Sequence, residues 1–327
     1  MRNLLLALAM LLPLAARAEV SELRITRQPS IIYMAPIIME QMKLVEANAA
    51  KLGIPNLTAR YAVFSSGGSA TDTLLAGSVD VVTTGASNML LLWDRTKGGV
   101  KGLGGAAALP HLVITRNRAA KTLRDLTPED RIGVPTVKVS TQAILLQIAA
   151  RQLFGDADFA HFDAMEVTMG HPDAAAALMS GGGGITVHFS APPYQEEEAR
   201  TAGLHVIGSS EEILGQAFSN PVYFTTTKFR DANPTVVRAF VAAAREASAF
   251  IAAHPREAVE TYLRATGEKY SVDELVAVIG DARKTFDTTP FGMQRIASHM
   301  ADTKVLRTRP ASWKDFFFPE AQDQPGN

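Results

Sequence analysis

Small hydroxyl residues and glycine follow a predicted buried strand at residues 79–87, which read VDVVTTGAS. Val79 to Val82 have the composition of a short buried strand, and the five residues from Thr83 to Ser87 are all small. A packed core gains nothing from that change, whereas a strand end that a small molecule approaches needs small side chains. In open α/β sheets, ligands bind beyond the carboxyl ends of the strands. We therefore interpret Thr83 to Ser87 as one wall of a ligand cleft.

Two predicted helices begin with residues that suit an anion. Ser66-Gly67-Gly68-Ser69 precedes one helix, and Ser140-Thr141-Gln142 begins another. The first N–H groups of a helix have no acceptor within it, and the helix dipole there favours negative charge. N-capping by serine, worth about 1 kcal/mol, explains the same residues, and one residue can serve both purposes. Lys138 either adds a cation to the second site or is merely solvated.

The sequence lacks the patterns of the common catalytic and metal sites. It contains no cysteine, and its seven histidines show no metal-ligand spacing. No Gly-x-Ser-x-Gly motif of a serine hydrolase occurs. Residues Gly181 to Gly184 precede a strand and lack the Lys-Ser/Thr of a phosphate loop. We predict no catalytic residue, no metal and no cofactor.

Composition and charge fit an ordinary globular protein. The chain has 327 residues, 47% of them hydrophobic, which is enough for two cores of typical size. The formal net charge is −1, so nothing indicates a nucleic-acid partner.

The first 18 residues have the pattern of a secretory signal peptide. Arg2 is basic, Leu4 to Leu14 is an apolar run too short to span a bilayer, and Ala16-Arg17-Ala18 is a small-x-small cleavage site. We expect cleavage before Glu19. No cysteine follows to carry a lipid anchor, so the pattern predicts an unanchored protein of the Gram-negative periplasm.

Predicted strands and helices alternate along the chain with short turns. Strands are predicted at residues 23–26, 61–64, 79–83, 112–115, 132–134, 166–169, 185–189 and 204–207. Helices are predicted at residues 37–50, 70–75, 141–154, 173–180, 234–254 and 293–300, and from the capping box at 271–274. This alternation is typical of parallel βαβ units.

An internal echo suggests two lobes of similar design. One helix of small residues ends at Gly77 and leads into residues 81–85, and another ends at Gly181 and leads into residues 185–190. The general helix–strand pattern that all βαβ units share explains this similarity equally well. If two such lobes face each other, the strand ends define a cleft between them.

Short motifs spread over nearly the whole mature chain resemble the solute-binding proteins of ABC importers for nitrate, sulfonates, taurine and related compounds. The matching segments are Tyr33-Met34-Ala35-Pro36, Leu74 to Asp80, Thr122 to Leu126, Arg131 to Pro135, Ala176 to Gly181, Lys228-Phe229 with Asn233-Pro234, and Ser312 to Phe317. The chain departs from many relatives at Gly182 to Gly184 and at His188-Phe189-Ser190-Ala191-Pro192, which bears on specificity more than on fold.

The resemblance implies an α/β fold, that of a two-lobed type II periplasmic binding protein with a ligand cleft between the lobes. It implies chain crossings near residues 106–110 and 216–223. The expected division is a signal peptide at 1–18, lobe I at 19–107 and 221–327, and lobe II at 108–220.

The family pattern adds candidate ligand-binding residues to those at the strand end and the helix starts. The full candidate set is Gln28, Ser30, Tyr33, Ser66, Gly67, Ser87, Asn88, Ser140, Thr141, His188, Ser190 and Asn220. A Pro-containing turn packed by Tyr33, and a satisfied core histidine at position 188, are the structural alternatives. His111 and His171 are weaker candidates, and Tyr33 and Phe189 are the surfaces expected to hold an apolar tail of the ligand.

The implied function is capture of a small anionic or polar organic solute, sulfonate-, taurine- or nitrate-like, by a hinged, monomeric binding protein. The protein would deliver the solute to an ABC permease in the inner membrane. The alternatives are binding of a neutral heterocycle such as a thiamine-precursor pyrimidine, or sensing of a ligand for a membrane receptor. An enzyme is disfavoured, because the pyrimidine-forming branch of the superfamily needs a cysteine-rich segment that this chain lacks.

Overall fold

The computed structural model describes residues 18–280 and 285–327 of the chain. The predicted signal peptide therefore lies outside the described residues, apart from Ala18. Among the described residues, no helix combines the length and the apolar character needed to cross a membrane.

The described strands form two five-stranded sheets, one in each lobe. The sheet of lobe I has the order β2-β1-β3-β10-β4, with β1 (Glu22–Arg27), β2 (Thr58–Val63), β3 (Val81–Thr84), β4 (Val100–Gly105) and β10 (Val222–Thr226). The sheet of lobe II has the order β7-β6-β8-β5-β9, with β5 (Leu112–Thr115), β6 (Ile132–Val134), β7 (Glu166–Thr168), β8 (Val187–Phe189) and β9 (His205–Ser209).

Each sheet is mostly parallel, with one strand that runs the other way. In lobe I, β1 pairs in parallel with β2 and β3, whereas β10 is antiparallel to β3 and β4. In lobe II, β6 is parallel to β7 and β8, whereas β5 is antiparallel to β8 and β9. The two sheets therefore share one design, as the internal echo of the sequence indicates.

Helices connect the strands and cover the sheets. They are α1 (Met34–Gln41), α2 (Leu44–Lys51), α3 (Gly67–Leu75), α4 (Ala86–Arg95), α5 (Thr141–Phe154), α6 (His171–Ser180), α7 (Tyr194–Arg200), α8 (Ser210–Leu214), α9 (Thr227–Ala232), α10 (Pro234–Ala253), α11 (Pro255–Thr266), α12 (Val272–Ile279) and α13 (Met293–Asp302). All four residues of β3 are buried, as expected for a strand with helices on both faces of its sheet.

Most predicted elements are present, and the differences have local causes. The single helix predicted over residues 37–50 is wrong: it is broken into α1 and α2 by Lys43, whose backbone is left-handed with φ of 51°. The strands β4 and β10 were not predicted; β4 is rich in glycine, a residue that usually weakens a strand. The helix α5 spans the predicted residues.

Two chain segments connect the lobes and lie side by side. Residues 106–111 lead from β4 into β5, and residues 215–221 lead from α8 into β10. The Ala106 N–H donates to the Pro221 carbonyl at 3.0 Å, and the Asn220 N–H donates to the Ala107 carbonyl at 2.8 Å. We propose the lobe limits that the sequence suggests, 19–107 with 221–327 and 108–220, since each lobe then contains one complete sheet.

Candidate ligand-binding cleft

A small cavity lies between the lobes where the strand ends of both sheets meet. Its volume is about 30 Å³. A buried water needs roughly 10–15 Å³ of such space, so the cavity as it stands holds only a few non-hydrogen atoms. The lining residues are Gln28, Pro29, Ile32, Tyr33, Gly67, Thr84, Gly85, Asn88, Pro135, Thr136, Ser140, Thr141, Gln142, His171 and Asn220. A larger groove of about 320 Å³ lies at the opposite end of β3, away from these strand ends.

Four helices begin at this cavity, two from each lobe. The first residue of α3, Gly67, lines it, as do Gly85 just before α4, Thr141 at the start of α5 and His171 at the start of α6. Serine side chains cap two of these helices: Ser66 Oγ accepts the Ser69 N–H, and Ser140 Oγ accepts the Ala143 N–H, each at 3.3 Å. The first N–H groups of a helix point along its axis beyond its start, which at α3, α5 and α6 is toward the cavity. Those of α4 are already paired, since Ala86 donates to Asn220 Oδ1 and Ser87 to Thr141 Oγ1.

Two glycines are required by the close approach of backbone to side chains around the cavity. A Cβ on Gly67 would lie 2.5 Å from Thr84 Oγ1 and 2.6 Å from the Asn88 amide nitrogen. A Cβ on Gly85 would lie 2.8 Å from Thr141 Oγ1, which belongs to the other lobe. The absence of a side chain at these two positions therefore allows the walls to approach each other.

A buried network in lobe I orients the amide of Gln28. The Tyr33 hydroxyl donates to Gln28 Oε1 at 2.8 Å, and the Thr84 hydroxyl donates to the same oxygen. Burial raises the pKa of Tyr33 far above its ordinary value, so this hydroxyl keeps its proton at any physiological pH. With its oxygen occupied twice, Gln28 has its two amide N–H groups left as donors for the cavity.

The amide of Asn220, like that of Gln28, has its oxygen occupied and its nitrogen left as a donor. Its Oδ1 accepts the backbone N–H of Ala86 at the start of α4, at 3.1 Å. Because a backbone N–H can only donate, the oxygen must lie on that side, and the Nδ2 group is left as a donor. Gln28 of lobe I and Asn220 of the crossing segment thus both offer hydrogen-bond donors to a ligand.

Lobe II has a different polar network behind its wall. Gln142 Nε2 lies 3.2 Å from His171 Nε2, His171 Nδ1 lies 3.0 Å from His188 Nε2, and His188 Nδ1 lies 2.6 Å from Glu198 Oε1. His188 and Glu198 are fully buried. Burial lowers the pKa of His188 to about 3 and that of His171 well below its ordinary value, while burial raises the pKa of Glu198 to about 8.

The lobes are in contact across the cleft. Ser87 Oγ donates to the Val139 carbonyl at 2.6 Å, and the Ser87 N–H donates to Thr141 Oγ1 at 3.3 Å. The Ser30 hydroxyl donates to the Pro192 carbonyl on the other lobe. Ser30 has a φ of 146°, a value that non-glycine residues rarely adopt and that often marks functional positions.

A wider space of about 630 Å³ lies at the mouth of the cleft. Two contacts bridge the lobes there: Arg200 pairs with Glu274, and the Tyr270 hydroxyl donates to Glu197 Oε2 at 3.3 Å. The Arg200 side chain is half-exposed, so this ion pair adds at most about 1 kcal/mol to closure. The contacts of Ser30 and Ser87 therefore act together with apolar packing of α5 on α4 and α13 to hold the lobes in contact.

The predicted site residues fall into two groups. Seven line the cavity: Gln28, Tyr33, Gly67, Asn88, Ser140, Thr141 and Asn220. Five lie around it: Ser30 and Ser87 join the lobes, Ser66 caps α3, and His188 and Ser190 are buried behind the lobe II wall. Phe189, expected to hold an apolar tail, lies fully buried in the core and does not line the cavity, because the residues of a strand alternate between faces.

Sequence reasoning undervalued His171 and left Gln142 and Glu198 out of the candidate set. His171 lines the cavity, whereas the favoured His188 lies one hydrogen bond farther away. A signal for His171 was available, because it follows Gly170 at a helix start and precedes Pro172 at the next helical position. Nothing in the sequence near Glu198 indicates a fully buried carboxyl group, because three consecutive glutamates, Glu196 to Glu198, favour a solvated helix face.

No metal site is found in the part of the chain that the structure describes, where no group of three or more His, Cys, Asp or Glu side chains could hold an ion. His171, His188 and Glu198 form hydrogen bonds in series rather than converging on one point. The cavity lining contains no Lys, Arg, Asp or Glu side chain among the described residues. The arrangement can bind a small polar molecule but offers no nucleophile with an adjacent base.

Comparisons with known proteins bear on the fold and on one segment of the sequence. Residues 107–258 match the family model described as NMT1/THI5 like. A comparison of the sequence with curated proteins finds no match.

Solved structures of periplasmic binding proteins share the fold. The alkanesulfonate-binding protein SsuA from Xanthomonas axonopodis pv. citri, bound to MOPS, matches with a TM-score of 0.70 at 16% identity, over 89% of this chain and 96% of that one. The aliphatic sulphonate-binding protein SsuA from Escherichia coli matches with a TM-score of 0.68 at 17% identity, over 94% and 100%. The nitrate-binding protein NrtA from Synechocystis PCC 6803 matches with a TM-score of 0.66 at 14% identity, over 91% and 84%.

These matches confirm the resemblance and the fold class predicted from the sequence. The matched proteins are binding proteins rather than enzymes, by their descriptions. The chain thus has the two-lobed α/β fold of periplasmic binding proteins such as the sulfonate- and nitrate-binding ones, and its residues 107–258 resemble the NMT1/THI5-like family.

Proposed function

We propose that this protein is the solute-binding component of an ABC importer and that it captures a small anionic organic solute, such as a sulfonate, in the cleft between its lobes. One observation carries the choice of an anion: the cavity presents the amide donors of Gln28 and Asn220, whose oxygens are already occupied, and the helices α3, α5 and α6 begin there. Hydrogen bonds to a charged acceptor contribute roughly 1.5–3 kcal/mol each. Micromolar affinity corresponds to about 8 kcal/mol, so several such bonds plus apolar contact with Ile32 and Tyr33 suffice.

Hinge opening is part of this proposal, because the cavity is too small for a sulfonate with its alkyl chain in the present closed arrangement. Opening would break the contacts of Ser30 and Ser87 and bend the two adjacent crossing segments. The ligand would then close the lobes around itself. Small-angle scattering should show a smaller radius of gyration when a saturating ligand is added to an open population.

A neutral heterocycle is the second candidate. The observation that favours it is the absence of any Lys or Arg side chain from the described cavity lining, so that no full positive charge faces a ligand. Ring nitrogens and carbonyl groups could accept hydrogen bonds from the same amide donors. The similarity of residues 107–258 to an NMT1/THI5-like family is compatible with either ligand class.

A thermal-shift panel separates the two candidates. We expect ethanesulfonate or taurine to raise the melting temperature of the purified protein, with carboxylates, nitrate and neutral pyrimidines weaker. Stabilisation by pyrimidines alone would favour the heterocycle, and stabilisation by cationic amines alone would contradict both. Mass spectrometry of a ligand retained through native purification would then identify the solute.

Export and partners belong to the same proposal. We propose cleavage before Glu19 and action in the periplasm as a monomer with an inner-membrane permease. The Glu19 carboxylate accepts the Thr235 and Val236 N–H groups at the start of α10, at 3.0 and 2.7 Å, which would hold the new N-terminal residue on lobe I. N-terminal sequencing of periplasmic material should therefore begin at Glu19, and an intact Met1 would contradict the proposal.

A further inference from the structure

Four side chains form a continuous hydrogen-bond chain from the cavity into lobe II. Gln142 and His171 line the cavity, and His188 and Glu198 lie behind them with no exposed surface. The three links measure 3.2, 3.0 and 2.6 Å. We refer to these four residues as the lobe II chain.

The fold brings the lobe II chain together from four separate elements. Gln142 is the second residue of α5, His171 the first of α6, His188 the centre of β8, and Glu198 lies on α7. A fully buried carboxyl group with a histidine partner is costly to desolvate, so the arrangement needs a reason beyond packing. Apolar residues of similar size would fill this part of the core with less desolvation.

The hydrogen bonds of the lobe II chain can run in either of two directions, from Glu198 toward the cavity or from the cavity toward Glu198. A neutral imidazole donates from one nitrogen and accepts at the other, so fixing one end fixes its neighbour. When the His188–Glu198 pair carries one proton beyond those of a neutral histidine and a carboxylate, on Glu198 or as an imidazolium, His188 Nε2 donates to His171 Nδ1. His171 must then donate from Nε2, toward Gln142 and the cavity.

Loss of that proton reverses the chain. Glu198 becomes a carboxylate that accepts from His188 Nδ1, and His188 Nε2 becomes an acceptor for the His171 Nδ1–H. His171 Nε2 then accepts from the Gln142 amide. A half-turn of that amide exchanges its oxygen and nitrogen, so Gln142 can follow either direction.

We propose that the lobe II chain is a specificity device, in which one proton on the buried His188–Glu198 pair decides whether the cleft offers a donor or an acceptor to the ligand head group. This rests on the proposed function, since the head group is taken to occupy the cavity. In the protonated state His171 donates to Gln142 Oε1, and the Gln142 N–H groups are released toward the ligand, which favours an anion. In the deprotonated state the Gln142 oxygen faces the ligand and the pair adds a buried negative charge, so an anion is rejected.

The groups that surround the His188–Glu198 pair allow it to lose this proton at a pH that experiments can reach. Burial is the main reason that the pKa of Glu198 rises to about 8, and Glu197 acts in the same direction. Burial keeps His111 neutral, with its pKa lowered to about 3, and both of its ring nitrogens lack a hydrogen-bond partner among the described residues. The other titratable groups that face the lobe II chain are Tyr194, stacked on His171 with ring centroids 6.5 Å apart, and Glu196, beside Glu198 on α7.

The first test reads the histidine tautomers of the ligand-free protein. Protein labelled with ¹⁵N-histidine is compared at pH 6.5 and pH 9.5 by two-bond ¹H–¹⁵N correlation spectra, with His171 assigned from the His171→Gln variant. We expect the proton of neutral His171 to move from Nε2 to Nδ1 between these pH values. In Glu198→Gln the tautomer should not change. An unchanged tautomer in the wild-type protein would overturn the proposal.

The second test measures the affinity of ethanesulfonate, which stays anionic over this range, by calorimetry at both pH values. With a pKa of about 8 the pair keeps its proton in about 3% of molecules at pH 9.5, so the Kd should rise up to about 30-fold. Glu198→Gln should lose this pH dependence. Glu196→Gln removes a carboxyl group from the same helix outside the lobe II chain and should retain it.

The outcomes separate this inference from the proposed function. A tautomer change without binding of ethanesulfonate at either pH supports the switch and contradicts the sulfonate assignment. Binding with the same Kd at both pH values overturns the switch and leaves the sulfonate assignment standing. Circular dichroism of each variant at both pH values establishes that the folded protein is being compared.

Discussion

The two walls of the cleft share a plan and differ in what lies behind them. Both offer helix N-termini and hydroxyl groups to the cavity. Behind the lobe I wall, Gln28 is held by the hydroxyls of Tyr33 and Thr84, which do not titrate at physiological pH. Behind the lobe II wall, Gln142 is held by two histidines and a carboxyl group. The direction of the hydrogen bonds is therefore fixed behind the lobe I wall, whereas behind the lobe II wall it can reverse.

This difference teaches that similar backbone geometry need not give similar chemistry. A buried amide presents whichever end its partner leaves free, so the partner decides what the ligand meets. The contrast also assigns separate tasks to the lobes. Lobe I would provide affinity that is independent of pH, and lobe II would make that affinity depend on a proton.

The largest expected effect comes from a negative charge on the lobe II wall. In Thr141→Asp, a carboxylate replaces the hydroxyl that accepts the Ser87 N–H at the cleft. We expect ethanesulfonate binding to weaken by at least about 100-fold, because like charges placed together cost several kcal/mol. Calorimetry at pH 6.5 measures the change.

The control for that substitution is Thr141→Asn, which has nearly the shape of Asp without its charge. It should weaken binding much less than Thr141→Asp does. If the two variants lose affinity equally, size rather than charge explains the effect. If Thr141→Asp binds as well as the wild type does, the anion assignment is wrong.

The next effect concerns Gly67, whose backbone lies close to the side chains of Thr84 and Asn88 in the lobe I wall. In Gly67→Ala, the new methyl group would meet Thr84 Oγ1 and Asn88, so the network that orients Gln28 must shift. Overpacking of this kind costs about 1–3 kcal/mol. We expect ethanesulfonate to bind about 5- to 100-fold more weakly.

Gly68→Ala is the matched control, because the nearest atom to its new methyl group is Ser66 Oγ at 3.9 Å, an ordinary contact. Its affinity should stay close to that of the wild type. Equal losses in the two variants would mean that the helix start, and not the contact with Thr84, is responsible.

A third effect is the loss, as pH rises, of the stability that the buried Glu198 of lobe II contributes. The folded-state pKa of Glu198 lies near 8, above its unfolded value, so between pH 6.5 and 8 the folded state binds more protons than the unfolded state does. The contribution of Glu198 to stability therefore falls as pH rises through this range, by up to about 1.4 kcal/mol per pH unit, or about 2 kcal/mol in all. His188 opposes this fall by about 0.4 kcal/mol, because burial lowers its folded-state pKa while its unfolded form, with an ordinary pKa near 6.5, still loses protons between pH 6.5 and 8. His111, His171 and His299, whose pKa values burial also lowers, act in the same direction, so the Glu198 contribution is the difference between the wild type and Glu198→Gln.

Urea unfolding of the ligand-free protein at several pH values measures this slope. Between pH 6.5 and 8, the stability of the wild type relative to Glu198→Gln should fall by about 2 kcal/mol. Glu166, whose pKa burial raises to about 7, contributes mainly below that range, so the stability of the wild type relative to Glu166→Gln should fall less. A stability difference between the wild type and Glu198→Gln that does not change with pH would contradict a titrating carboxyl group behind the lobe II wall.

The smallest effect tests the fixed polarity of lobe I. Tyr33→Phe removes one of the two hydroxyls that donate to Gln28 Oε1 and leaves the Thr84 hydroxyl in place. We expect a loss of about 0.5–1.5 kcal/mol in stability and a few-fold loss of affinity. The size of the affinity loss should be the same at pH 6.5 and pH 9.5, as measured by calorimetry. A loss that changes with pH would mean that the two walls are coupled.

Much of the framework could be predicted because its causes are local. The α5 boundaries follow from the cap at Ser140 and the glycine at position 155, both read within a few residues. Residues 83–87 could be interpreted as a cleft wall because small side chains at a strand end have few other uses. The break between α1 and α2 was missed because a left-handed Lys43 has no strong sequence signal.

The sequence by itself determined the helix starts, the strand ends and the absence of cysteine chemistry, because each depends on neighbouring residues or on composition. The tertiary structure decided which groups face the ligand and with what polarity. The amide of Asn220 is oriented by Ala86, 134 positions away, and Gly85 is required by Thr141 of the other lobe. Glu198 lost its solvent and gained a histidine only when α7 packed on the lobe II sheet. Burial and hydrogen-bond direction depend on such distant partners, and no local pattern along a chain encodes them.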